Sequence, residues 1–303
     1  MRHEVSSGEE TRPVAERPNE RARAPAPGAA PRAGLAQRLR RWALKRVALP
    51  LLNRELAEQN LHLYRYVPAT DRLFPYRRLT ARDLDPERAG EILSDRWYRA
   101  LVDRGVRGDI AFDVGVNYGY SSAWLSTMAG HVYAFEPNPA NAAMIREHAS
   151  IRRIQNVTLV PTAVSNRVGR ASLHVKRFDG HHSLADIGAS PTVSAVDVPV
   201  TTIDTAADER GLDAVDLVKI DVEGFEPEVL EGASRRLERG RVGLVLFEFS
   251  PGFYRQRGLP SRAPIDVLEG FGYAVEQIDG SPVPGGSLDD VWQMDLIARR
   301  RTG

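Results

Sequence analysis

The run Ile110-Ala111-Phe112-Asp113-Val114-Gly115-Val116-Asn117-Tyr118-Gly119 limits what this chain can fold into more than any other segment. An apolar, strand-like stretch ends beside an acid, and a glycine-punctuated turn then enters a helix-like segment. Glycine tolerates positive φ and lets backbone N–H groups approach a ligand, so this is the strand–loop–helix opening of a nucleotide-binding α/β domain. About twenty residues on, Val132-Tyr133-Ala134-Phe135-Glu136-Pro137 supplies a second strand ending in an acid, the position that hydrogen-bonds ribose hydroxyls in such folds.

From Asp109 the pattern alternates. Strands are expected at Ile110–Val114, His131–Phe135, Val157–Val160, Val196–Ile203, Val215–Ile220 and Val242–Phe249. Helices are expected over Tyr118–Met128, over Pro139–His148 with Asn138 as cap, and over Pro227–Leu237. Within Ala163–Val175, Asn166-Arg167-Val168-Gly169 reads as a hairpin turn. A helix at Ala263–Gly270 and strands at Tyr273–Ile278 and Trp292–Ala298 close the chain. Such alternation implies a mostly parallel sheet with helices on both faces, and the two closing strands suggest an antiparallel edge.

Upstream, residues 1–33 are polar and rich in Pro and Ala, too poor in apolar surface to offset their ordering entropy, so a disordered tail is expected. Residues 34–108 read as a helical N-terminal extension packing on a domain that spans 109–303. The stretch from about Leu35 to Leu63 carries Arg38, Arg40, Arg41, Lys45 and Arg46, which could face a membrane surface; a helix packed on the domain with a solvated basic side is preferred. No run approaches the ~18 apolar residues of a membrane span, and no apolar run near the start suggests a signal peptide, so a cytoplasmic protein is expected. With 41 basic against 40 acidic residues, no global electrostatic footprint for nucleic acid is present. The absence of cysteine removes disulfides, thiolate nucleophiles and Cys-ligated zinc together.

The ligand class follows by elimination. A dinucleotide fingerprint G-x-G-x-x-G fails at Asn117 and Tyr120, and no G-x-x-x-x-G-K-[ST] phosphate loop exists. What remains is D-x-G-x-N-x-G, from Asp113 to Gly119, followed by Glu136. That loop has no Lys or Arg to neutralise phosphate and begins with an acid. A cationic, phosphate-free nucleoside suits it: S-adenosylmethionine, with its sulfonium and ammonium groups.

The run Phe112–Ser122, then Phe135-Glu136-Pro137, then Val218-Lys219-Ile220-Asp221-Val222-Glu223-Gly224-Phe225-Glu226 with Leu230-Glu231-Gly232-Ala233, resembles the FkbM family of S-adenosylmethionine-dependent methyltransferases. The resemblance covers about Asp109 to Ala298, and the K-I-D-x-E-G segment is its most distinctive part. It implies a class I methyltransferase fold, a Rossmann-like three-layer sandwich on a mostly parallel seven-stranded sheet with an antiparallel edge strand. It also implies transfer of methyl to an oxygen of a small molecule or sugar.

On that footing, Gly115 and Gly119 are expected to give the backbone close approach to the methionine part. Asp113 and Asn117 would support the loop or engage the amino group, and Glu136 would bind the ribose hydroxyls. Lys219, Asp221 and Glu223 recur at period two and share one face if the strand continues that far. They are read either as an ion pair holding the strand end or as catalytic groups, with Asp221 or Glu223 orienting the acceptor hydroxyl or acting as base. His182, in the polar loop Asp179-Gly180-His181-His182-Ser183-Leu184, is a further candidate base. Asp221, Glu223 and Glu248 could gather around a divalent cation, but no tight metal-ligand motif is present and no metal is expected. The expected partner is a small-molecule hydroxyl acceptor, a glycoside or natural-product intermediate, with neither nucleic acid nor stable membrane insertion involved. The rivals are a non-catalytic binding or partner subunit that keeps the fold, and a nicotinamide-dependent reductase, which the failed fingerprint argues against.

Overall fold

Strands buried on both faces need apolar residues at every position, whereas short surface elements depend on neighbours that no local pattern displays. Both kinds occur in the computed structural model of the chain, which describes residues 63–67, 72–76, 96–152, 154–177, 182–188 and 190–301. The expected tail over 1–33 and the basic helix from about Leu35 lie outside the described residues. Part of the segment expected to be helical is instead an antiparallel pair, β1 (Leu63–Val67) with β2 (Arg72–Tyr76), in which Val67 opposes Arg72. Helix α1 (Arg96–Asp103) follows, with Trp97 and Leu101 packed among Trp124, Leu125, Met128 and Val132.

The central elements are β3 (Gly108–Val114), α2 (Tyr120–Leu125), β4 (Ala129–Phe135), α3 (Pro139–Arg152) and β5 (Val157–Val160). Then come β6 (Ala163–Val164), β7 (Gly169–Lys176), β8 (Thr192–Thr201), α4 (Ile203–Asp208), β9 (Val215–Ile220), α5 (Glu226–Glu231) and α6 (Ser234–Glu238). The last are β10 (Val242–Phe249), α7 (Pro251–Gln256), α8 (Ala263–Gly270), β11 (Tyr273–Gln277) and β12 (Met294–Arg300). Seven strands form one sheet in the order β11-β12-β10-β9-β3-β4-β5. The strands from β10 to β5 run parallel, and at the other margin β12 is antiparallel to both β10 and β11.

Side chains alternate between two cores, as strand geometry requires. Phe112, Val218 and Phe247 enter the larger one with Val229, Leu237 and Leu268 from the helices. Ala111, Leu217 and Leu246 enter the other, against Trp97 and Trp124. Each such Val, Leu or Phe side chain, fully buried, contributes about 1.5–3 kcal/mol. The result is the three-layer α/β sandwich expected from the alternation. Its chain order reverses beside β3: the path runs outward through β4 and β5, then returns to β9 on the other side, where Val114 and Ile220 lie in register. Ligands bind outside the carboxyl ends of strands at such a switch point.

Two expectations fail for reasons of tertiary contact. Asn166–Gly169 is not a hairpin turn, because β8 lies between the strands it joins: Ala163 of β6 pairs parallel and Gly169 of β7 antiparallel to the same Val200. The helix expected over Pro227–Leu237 divides into α5 and α6 at Gly232, whose carbonyl accepts from Asp204 N–H at 3.0 Å. The Asp204 carboxylate in turn accepts from the Arg235 and Arg236 N–H groups, 3.0 and 3.3 Å away, at the start of α6. A cap supplied from 31 residues upstream leaves no local signature. Helices α4 and α7, absent from the sequence expectation, are six-residue pieces too short to display a period. Among the described residues, no helix is long and apolar enough to cross a membrane.

A Cβ on Gly232 would lie 2.1 Å from the backbone oxygen of Ser165, an obstacle that cannot rotate away. Gly232→Ala is therefore expected to lower unfolding stability by about 1–3 kcal/mol in urea titration, and an unchanged midpoint would contradict this account of the break.

Candidate active site

The loop after β3 is shaped by contacts with the end of β9. Gly115 has φ +79°, and a Cβ there would fall 1.7 Å from the Asp221 carbonyl oxygen. The glycine is thus required first by the packing of two strand ends, not by a ligand. Gly119 is required by its φ of +86° alone, since a Cβ would meet nothing nearer than Ile145 Cγ1 at 3.6 Å.

Beneath this loop sits a buried charge cluster. Asp113 is fully buried, and its Oδ2 accepts hydrogen bonds from Ser121 Oγ at 2.7 Å and Ser122 Oγ at 2.6 Å, tying β3 to the start of α2. Lys219 Nζ lies 3.4 Å from Asp113 Oδ1 and 3.5 Å from Asp221 Oδ2, and donates to the Gly115 carbonyl at 2.8 Å. The Trp97 ring of α1 stands 5.7 Å from the same ammonium. Burial would lower the Lys219 pKa, but Asp221 and Asp113 outweigh it and hold the pKa above its ordinary value. Lys219 therefore stays charged, the cation between two carboxylates.

Glu136, at the end of β4, is tied by both oxygens. Oε2 accepts from Asn117 N–H at 2.7 Å and Oε1 from Asn138 N–H at 2.8 Å. Burial pushes its pKa up to about 7, against the opposing effect of those N–H groups. Asn138 caps α3, its Oδ1 accepting from Ala140 N–H at 3.0 Å.

The segment after β9 forms the opposite wall. Glu226 folds back beneath it, its carboxyl oxygens accepting from Val222 N–H and Gly224 N–H, each at 3.1 Å. Burial, with Asp221 and Glu223 nearby, pushes Glu226 up to about 7. Glu223 (φ 52°) and Asn117 (φ 53°) are the two non-glycine residues in the left-handed region among the described residues, and they face the same pocket. Such conformations cost of order 1–3 kcal/mol and persist only where surroundings enforce them. Here Ser183 Oγ donates to the Glu223 carbonyl at 2.9 Å, clamping the turn from the β7–β8 connection.

His182, beside Ser183, has Nδ1 accepting from the Lys176 N–H at 3.1 Å. That bond places the proton of the neutral ring on Nε2. In that tautomer the ring presents a donor at Nε2, and a general-base role for His182 would require the Lys176 contact to be given up. Carboxylate oxygens of Asp221, Glu223 and Glu248 all lie within 4.8 Å of one another. Burial, then the nearby carboxylates of Asp221, Glu223, Glu226 and Asp295, push the Glu248 pKa upward.

One cleft joins these walls. It is lined by Gly115, Asn117, Glu136, His182, Asp221 and Glu223 from the sequence expectation, and by Asn141, Leu184 and Phe225, which were not foreseen. Asp113, Gly119 and Lys219 do not line it; they lie behind the loop and hold it. Among the described residues, no Lys or Arg lines the cleft. The donor set fits S-adenosylmethionine: carboxylates for hydroxyl and cationic groups, no cation for phosphate, and a buried Asn141 Oδ1 without a hydrogen-bond partner. Sequence reasoning missed Ser121, Ser122, Asn141 and the stapling role of Glu226, because each acts through a partner distant along the chain.

Comparison with known proteins agrees in kind. The FkbM methyltransferase domain model matches residues 113–279. The chain is 26% identical over 178 residues to the 2-O-methyltransferase NoeI of Sinorhizobium fredii, covering 54% of this chain and 72% of that one. It is 30% identical over 156 residues to the hexuronic acid methyltransferase AglP of Haloferax volcanii, covering 51% and 61%. The crystal structure of methyltransferase FkbM from Methylobacillus flagellatus is similar at 18% identity and a TM-score of 0.43, over 71% of this chain and 50% of that one. The chain thus spans half the length of that structure and less than two thirds of AglP.

Removing the cation tests the cluster that supports the loop. Lys219→Met leaves Asp113 and Asp221 without their shared partner and is expected to cost about 3–5 kcal/mol of stability by urea unfolding. A loss below about 1 kcal/mol would show that the ion pairs are not what holds the two strand ends.

Proposed function

The chain belongs to the FkbM family of methyltransferases, and we propose that it transfers the methyl group of S-adenosylmethionine to a hydroxyl oxygen of a small molecule in the cytoplasm. A glycoside or natural-product intermediate is the acceptor class, supported by relatives named for 2-O-methylation and for hexuronic acid. The observation that carries this is the cleft at the switch point, acidic on both walls and with no Lys or Arg lining it among the described residues. Such a lining suits a cationic nucleoside and disfavours the polyanionic backbone of nucleic acid.

When bound, the cofactor supplies a methyl group activated by its sulfonium. The chain's own task is chiefly to hold the acceptor oxygen in line, which is worth about 7–11 kcal/mol, while a positioned base adds about 10²–10⁴-fold. Glu136 accepts from the ribose hydroxyls, and the Asn117 turn carries the backbone that faces the methionine part. Asp221, fixed by Lys219, and Glu223, fixed by its clamped turn, are the carboxylates able to orient the acceptor hydroxyl and take its proton. His182 orients through Nε2–H. Transfer is proposed to need no metal ion, since the sequence carries no tight metal-ligand motif around Asp221, Glu223 and Glu248.

A non-catalytic subunit with the same fold would bind cofactor and transfer nothing. Calorimetry with S-adenosylhomocysteine is expected to show binding, and labelled-methyl transfer over a panel of glycosides is expected to yield product equally with and without EDTA. Binding with no transfer across the panel would favour the subunit, and loss of transfer in EDTA, restored by magnesium, would overturn metal independence.

Glu136 sets a pH dependence. Its raised pKa means that the ionised carboxyl costs folding stability, a cost absent below its ordinary range and fully present above about 7. Ribose hydroxyls donate to the ionised form, so cofactor binding releases a proton and strengthens as pH rises. S-adenosylhomocysteine affinity is expected to fall about five- to tenfold from pH 7.5 to pH 6. In Glu136→Gln the slope should vanish; an unchanged slope in that variant would place the titrating group elsewhere.

A further inference from the structure

Asn141 stands in the first turn of α3, is 1% exposed and lines the cleft. Its Nδ2 donates to Asn117 Oδ1 at 3.1 Å, while its Oδ1 has no hydrogen-bond partner. A buried amide oxygen lacking a donor is among the costlier defects a fold carries, and in a pocket wall it marks a position that a ligand completes. Nearby backbone donors are already committed: Asn117 and Asn138 N–H to Glu136, Ala140 N–H to the Asn138 side chain, and Ala142 N–H to the Asn138 carbonyl. Turning the amide over would set its oxygen against Asn117 Oδ1 and lose the bond that orients it.

Asn117 ties this oxygen to Glu136. Its backbone N–H binds the Glu136 carboxylate and its side chain binds Asn141, so one left-handed residue fixes two hydrogen-bond acceptors on the same wall. Two acceptors held by one residue and lining one cleft match a ligand with two adjacent hydroxyl donors. We propose that Asn141 is a second ribose-binding residue, its Oδ1 accepting from one hydroxyl of the S-adenosylmethionine ribose while Glu136 accepts from the other. The assignment rests on the methyltransferase function above. It extends the cofactor-binding set to a residue whose neutral side chain keeps its acceptor at every pH. It also gives the left-handed Asn117 a role beyond loop shape, since its side chain orients the second acceptor.

The test pairs protein variants with ligand variants. Calorimetry would measure S-adenosylhomocysteine and its 2′-deoxy and 3′-deoxy forms against the wild type, Asn141→Ala and Asn141→Leu. In the wild type, removal of the hydroxyl that meets Asn141 should weaken binding about tenfold. Both variants should bind the parent compound about tenfold more weakly, yet lose less than about twofold when that same hydroxyl is absent. Equal hydroxyl penalties in wild type and variants would overturn the proposal, because a merely structural Asn141 would weaken all three ligands alike. A wild type with no affinity for S-adenosylhomocysteine would instead overturn the methyltransferase assignment beneath it. The wild-type protein offers a check independent of variant folding: the Asn141 side-chain amide resonances should shift with S-adenosylhomocysteine and stay in place with the deoxy form that lacks its partner. Shifts of equal size with both deoxy forms would count against the proposal.

Discussion

The ammonium of Lys219 is the point on which the cleft depends. It lies buried at the carboxyl end of β9, between Asp113 on β3 and Asp221 just past its own strand, and it donates to the carbonyl of Gly115. A buried cation is tolerated only when partnered, and here its carboxylate and carbonyl partners all belong to the two strand ends that must meet at the switch point, with the Trp97 ring of α1 beside them. The same requirement explains Gly115: the strand ends come so close that any side chain there would enter the Asp221 carbonyl. The loop that lines the cleft is thus set by an electrostatic contact underneath it, and Asp113 and Lys219 lie behind it as its foundations.

Around this centre the protein spends conformational energy where function needs shape. Asn117 and Glu223 adopt left-handed backbone on opposite walls, each held by a carboxylate or hydroxyl reaching from another element. Glu136 and Glu226 serve as staples as well as acids, their oxygens occupied by backbone N–H groups of the loops they stabilise. Burial raises both to about 7, so the two groups that shape the site are also those whose ionisation changes near neutrality. Shape and charge in this cleft are therefore linked, and a ligand that fixes one biases the other.

The β7–β8 connection adds a wall that the core sheet does not supply. Ser183 fastens it to the Glu223 turn, and His182 and Leu184 project into the cleft from it. The Lys176 backbone N–H occupies Nδ1 of His182, and in that tautomer the ring presents a donor at Nε2. Protonation state here is a property of a backbone contact, not of the side chain.

Much of this was readable from the chain alone. The buried strands Val215–Ile220 and Val242–Phe249 coincide with the apolar runs, because strands covered on both faces admit little else. The acids at the ends of β4 and β9, the D-x-G-x-N-x-G turn and the ligand class were legible because each is encoded by residues adjacent in sequence. What the sequence could not display depends on distant partners: the break at Gly232 forced by Ser165 and Asp204, the placement of β8 between β6 and β7, and the inward turn of Asp113 onto two serines. Local order along the chain determined which strands, turns and charges exist; tertiary contact decided which of those charges line the cleft and which lie behind it, since hydrogen bonds and burial are settled only when distant segments meet.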